Sequence, residues 1–172
     1  MTLTTIPEGF SAAGNGSVFA APAVADHSKP SVAEFAPPTG FNLSCDLMNW
    51  SYSIERSTVT QTRYCLAQTI QGAGRKEPSA NPITVVYNPQ DPDDENYVAY
   101  RNLKEGTKWV LFDRRGLDSR KSLAAAEVGD LIPVEVILVT REEIDDTEGA
   151  LIRSTISFRV TGEIKQDVAL VA

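Results

Sequence analysis

The residues of this chain able to do covalent or acid–base chemistry are few: one histidine, His27, two cysteines, Cys45 and Cys65, and adjacent carboxylates at Asp93-Asp94 and Asp145-Asp146. A serine or cysteine nucleophile needs a base held rigidly beside it. His27 stands in a stretch of prolines and small residues with no period of its own, so it reads as an exposed polar residue. Acid–base work by two carboxyls needs surroundings that push their pKa values apart. Both aspartate pairs fall in acidic, turn-rich segments and read as solvated loops, without the spacing of a calcium loop. The cysteines and His27 lack zinc-ligand spacing. The cysteines read as buried free thiols in a reducing compartment, with a single disulfide as the alternative.

Gly72-Ala73-Gly74-Arg75-Lys76 is glycine-rich and basic. A phosphate loop would end in Gly-Lys-Ser/Thr between a strand and a helix, whereas Glu77-Pro78-Ser79 follows here. Arg114-Arg115-Gly116 has the charge to touch a phosphate, but a hairpin turn is the simpler account. Trp50 and Trp109 fall in strand patterns and read as core or interface anchors. The expectation is no catalytic, cofactor-binding or metal-binding residue, and no enzyme.

The elements around these residues belong to an ordinary folded chain. A length of 172 residues suffices for one domain with a real core, and 42% apolar with 23% charged residues is usual for a globular protein. Sixteen Lys and Arg against 23 Asp and Glu give a net charge of −7, which repels phosphates rather than gripping them. No apolar run approaches the roughly 20 residues of a membrane span. Ala23-Val24-Ala25 resembles a signal-peptidase site, but residues 1–22 hold no Lys or Arg and are broken by Gly14, Asn15, Gly16 and Pro22. The chain therefore reads as non-secreted.

Residues 1–40 carry five of the ten prolines and no clear period, with at most a short strand near 17–20. They read as an extended N-terminal arm lying against a neighbouring subunit, with residues 41–172 as a β domain. Strands are expected at 41–47, with Phe41, Leu43, Cys45 and Leu47 on one face, then at 50–54, 57–64, 83–87, 107–112, 131–140, 151–161 and 163–171. The cleanest alternation is in 151–161. There Ile152, Ile156, Phe158 and Val160 share one face and Arg153, Thr155, Ser157, Arg159 and Thr161 the other. Residues 71–82 carry every turn signal and read as a loop, residues 113–116 as a turn, and 117–128 as a short helix or ordered loop. The segment 141–149 is an acidic loop. One helix is expected over 95–103, where Tyr97, Tyr100 and Leu103 fall at helical spacing and Gly106 ends the run. The fold class is mainly β: an antiparallel β-sandwich or partial barrel with one flanking helix and an extended arm.

Several of these pieces together resemble the tail tube, or major tail, proteins of siphophages that infect actinobacteria. They are Ser31-Val32-Ala33-Glu34-Phe35 with Gly40, the Cys45 and Cys65 strands, Gly74-Arg75, Asn102-Leu103-Lys104-Glu105-Gly106 and Arg114-Arg115-Gly116. Gly129-Asp130-Leu131-Ile132-Pro133-Val134-Glu135-Val136 and Val160-Thr161-Gly162-Glu163-Ile164 follow. The resemblance covers residues 31–172. It implies a virion structural protein whose homo-hexameric rings stack into a tail tube, assembled in the host cytoplasm. It implies terminator, tape measure and distal tail proteins as partners, and double-stranded DNA passing through the lumen without specific binding or any membrane. Closed lateral symmetry with head-to-tail axial contact is the geometry of such a filament. The arm, the 71–82 loop and the 141–149 loop are the expected stacking contacts, and the polar face of 151–161 an interface. Under this reading, deleting residues 1–30 leaves the β domain folded but weakens tube growth. The alternatives are another ring-forming tail component, such as a terminator or tube initiator, and a stand-alone β-sandwich binding or adhesin module.

Overall fold

A computed structural model of the chain describes residues 14–62, 70–142 and 151–172. Its elements are β1 (Gly16–Ala21), α1 (Val32–Phe35), β2 (Phe41–Asn42), β3 (Tyr52–Gln61), β4 (Ile70–Ala80), β5 (Ile83–Val86), α2 (Val98–Asn102), β6 (Lys108–Arg115), β7 (Val128–Arg141), β8 (Arg153–Val160) and β9 (Lys165–Ala169). Among the described residues the chain is thus mainly antiparallel β, the expected class. Hydrogen bonding runs β2-β1-β6-β7-β8-β5, β9 also pairs with β7, and β3 and β4 pair only with each other.

The chain divides into two compact units. The first comprises Met1–Cys45, Trp109–Ile132 and Lys165–Ala172. In it β1 lies between β2 and β6, with Phe19 opposite Phe112 and Ala21 opposite Val110. From Ser17 to Ala21 every residue is buried, which no period-2 pattern could announce. Phe19, Ala21, Val24, Phe35, Val110, Phe112, Leu131 and Leu170 form one core, with the Phe35 and Phe112 rings 5.5 Å apart. The short α1 is placed by Glu34, whose carboxylate accepts from the Ser31 amide at 2.8 Å and the Ala25 amide at 2.7 Å. Residues 14–40, read from sequence as part of an arm, therefore build this core. Residues 1–13 lie outside the described residues. Gly129 on β7 allows a close approach: a Cβ there would meet the Phe112 ring at 2.6 Å and the Asp113 carbonyl oxygen at 2.7 Å.

The second unit comprises Asp46–Lys108 and Pro133–Ile164. Here β8 pairs with β5 on one side and with β7 on the other. Its alternation holds: Ser154, Ile156 and Phe158 are buried, while Arg153, Thr155, Ser157 and Arg159 are more open. The outer edge of β5 is covered by residues 46–49, through Met48 N–H to Thr84 O (2.9 Å) and Thr84 N–H to the Asn49 side chain (2.7 Å). The expected strand over 41–47 is cut to β2 because the Asn42 side chain accepts from the Ser44 amide and hydroxyl, turning the chain; Cys45 is left exposed rather than buried. Cys65 lies outside the described residues. The helix expected over 95–103 shrinks to α2. Asp94 accepts from the Asn96 amide (2.9 Å) and its carbonyl from the Tyr97 amide (3.1 Å), so residues 94–97 are spent on turns. The Asp46 carboxylate then accepts from the Ala99 amide at 2.7 Å. Burial raises the Asp46 carboxyl above its ordinary value, against the pull of the Ala99 and Val98 amides.

Candidate functional site

The largest departure from a self-contained fold is the ribbon formed by β3 and β4. The Thr- and Ser-rich β3 suits a strand without a dry face. The glycine- and proline-containing segment expected as a loop is β4 instead. Backbone pairing along β3 needs no apolar pattern. Pro78, lacking an N–H, is tolerated because each strand of a two-stranded ribbon has an outer edge with no ladder to serve. Register runs from Tyr52 opposite Ala80 to Gln61 opposite Ile70, with a bulge between Arg56 and Thr58. At the bulge a Cβ on Gly74 would collide with the Ser57 hydroxyl and lie 2.7 Å from the Ser57 carbonyl oxygen, so only glycine fits.

Most ribbon residues are exposed, Val59 at 50% and Ile70 at 52% among them. A lone two-stranded ribbon is marginal in water, and long open edges are templates for pairing with another chain. Directly opposed residues share a face and successive ones alternate. Arg56 and Lys76 therefore stand together on one face, and Glu55 and Glu77 on the other. Ile137 and Leu138, at the β7 bulge of the same unit, add exposed apolar surface at 55% and 50%.

The polar face of β8 is largely matched within the chain. Arg159 pairs with Glu135 at 2.6 Å, and its hydrogen bond and charge hold the Glu135 carboxyl below its usual value. Arg153 pairs with Glu142 at 3.1 Å, and the Thr155 hydroxyl donates to the same carboxylate at 2.6 Å.

Among the described residues, the sequence candidates are not gathered into a reactive site. His27 sits half-buried in a loop of the first unit, Asp93 is exposed, and Asp145-Asp146 lies outside the described residues. Among the described residues no three His, Cys, Asp or Glu side chains could hold a metal, and no helix is long and apolar enough to cross a membrane. Trp109 stacks obliquely on Phe41 at 5.1 Å, and Trp50 meets Phe158 edge-on at 6.4 Å.

Arg114 overturns the turn expected at 113–116: β6 continues through it, and its side chain is fully buried. The guanidinium donates to the Ser17 hydroxyl (2.9 Å), to the Glu127 carboxylate (2.8 Å), and to the Asp118, Lys121 and Ser122 carbonyls (2.9, 2.7 and 3.3 Å). It also lies over the Phe19 ring. It thereby moors residues 117–127, the ordered loop of the two options open from sequence, and is unavailable to phosphate. Burial would raise the Glu127 carboxyl; hydrogen bonds from Arg114, Lys121 and the Ala124 backbone, with the Arg114 charge, outweigh it and hold the group below its usual value.

The family model described as phage tail tube protein matches residues 3–172. No curated protein sequence matches the chain. Among solved structures, a chain in the cryo-EM structure of the anti-feeding prophage (AFP) baseplate, 6-fold symmetrised, is similar at a TM-score of 0.49 and 9% identity, covering 96% of this chain and 98% of that one.

Proposed function

Because this chain belongs to the phage tail tube protein family, it is a structural component of the phage tail, and we propose that it polymerises as stacked hexameric rings into the tube of a siphophage. Beyond family membership, the reading is supported by the β3–β4 ribbon, which among the described residues pairs with no other strand and is mostly exposed. A ribbon left this way is completed by sister copies, which bury its edges and its exposed Val59 and Ile70. Sheets of neighbouring copies close around a lumen, through which the genome passes to the host. The net charge of −7 suits a conduit that repels DNA rather than holding it. Terminator, tape measure and distal tail proteins cap and fill the tube, which is assembled in the host cytoplasm. No catalytic step is assigned to any residue.

Size-exclusion chromatography with light scattering, followed by negative-stain microscopy of the purified protein, tests this. Rings or hollow tubes are expected. A species of 18.7 kDa at every concentration would refute polymerisation, and a ring that never lengthens would point to a terminator instead.

A further inference from the structure

The ribbon carries a charge arrangement that works against the isolated chain. Arg56 stands directly opposite Lys76, and Glu55 directly opposite Glu77. Like charges directly across a ladder destabilise it. Two such pairs at adjacent positions give the ribbon a basic face and an acidic face at the same level along its length. All four residues are exposed, and among the described residues none has an ion-pair partner. Arg56 spends one N–H on the Gly74 carbonyl at 3.3 Å, which leaves its charge uncompensated. Arg75 stands at the bulge, outside the paired register.

A surface that is positive on one side and negative on the other is complementary to a copy of itself placed face to back. It is not complementary to itself face to face, so a two-fold dimer through either face would bring like charges together. Repeated by a rotation that closes, face-to-back contact makes a ring. We propose that the Arg56/Lys76 face of one copy's ribbon docks on the Glu55/Glu77 face of the ribbon of the next copy, and that this charge polarity sets the direction in which copies join. This rests on the ring-forming reading above.

Charge reversal in pairs tests it. The double variant Arg56→Glu/Lys76→Glu has two acidic faces, and Glu55→Lys/Glu77→Lys has two basic ones. Each alone is expected to remain folded by circular dichroism and to raise the concentration needed for assembly by about tenfold or more at low salt. Mixed in equal amounts, the two are expected to co-assemble, since acidic and basic ribbons can alternate around an even-numbered ring. The quadruple variant, with both faces exchanged, is expected to assemble like the wild type. Recovery on mixing also shows that neither variant failed merely by unfolding. Wild-type tubes with unchanged assembly of either double variant, or loss that mixing and the quadruple exchange both fail to reverse, would overturn the proposal and leave the ring reading standing. A wild type that never assembles would remove the reading itself, and the proposal with it.

Discussion

Replacing Arg114 by alanine should weaken the first unit more than any other change of a single charged side chain there. Arg114 is fully buried, makes five hydrogen bonds, and pairs with Glu127, whose side chain is 8% exposed. Removing one partner of a buried ion pair costs about 3–5 kcal/mol, because the other charge stays behind unpaired. Two features favour the low end. Lys121 still reaches Glu127 at 3.1 Å, and the Asp118, Lys121 and Ser122 carbonyls belong to a largely exposed loop that water can enter. The expected loss is about 3 kcal/mol, or roughly 6–12 °C in Tm for a domain of this size. Urea and thermal melts followed by near-ultraviolet circular dichroism read it directly. Lysine at the same position keeps the charge but not the planar fork of donors, and should recover only part of the loss. The double variant Arg114→Ala/Glu127→Ala should be less destabilised than the sum of the single variants, by about 1 kcal/mol or more. A melt of Arg114→Ala within about 1 kcal/mol of the wild type, or strict additivity in the cycle, would show that the buried network does not hold the 117–127 loop to the sheet.

Other perturbations have defined outcomes. The Glu127 carboxyl sits below its ordinary value of 4.5 in the folded chain, so its stabilisation is complete above that value and fades as pH falls through the lower folded one. The gap in melting temperature between wild type and Glu127→Gln should therefore be constant near neutrality and close under acid. Gly129→Ala should cost about 1–3 kcal/mol in a urea melt, because the added methyl meets the Phe112 ring and the Asp113 carbonyl. Deleting residues 1–30, harmless if they were only an arm, removes β1 from between β2 and β6 along with Phe19 and Ala21 of the core. That deletion should abolish the cooperative melt of the first unit.

The sequence was legible where one face of a strand is dry and the other wet. The alternation of Ile156 and Phe158 with Thr155, Ser157 and Arg159 reads directly as β8, since each buried residue has an open neighbour. β1 carries no such contrast, because strands on both sides and packing on both faces bury Ser17 and Val18 as fully as Phe19. The ribbon fails for the opposite reason. Little in it is dry enough to mark, so its glycines and proline read as turn signals, while its existence depends on backbone pairing and the bulge at Gly74. The burial of Arg114 is not legible locally, because an arginine pair before a glycine usually marks a solvated turn. Its burial depends on Ser17 and Glu127, which are distant in sequence and unmarked by any local pattern. The charge polarity of the ribbon, by contrast, follows from residue type alone once the register of Glu55, Arg56, Lys76 and Glu77 is known.

Closure of the sheet between copies is tested by a helical reconstruction, by electron cryomicroscopy, of the assembly the purified protein forms at high concentration. The expected result is a hollow tube of six-membered rings in which each copy's ribbon is packed against ribbons of its neighbours and the sheet continues from copy to copy around the lumen. An assembly in which every ribbon projects into solvent, or in which each copy seals its own sheet without touching a neighbour along its strands, would contradict it.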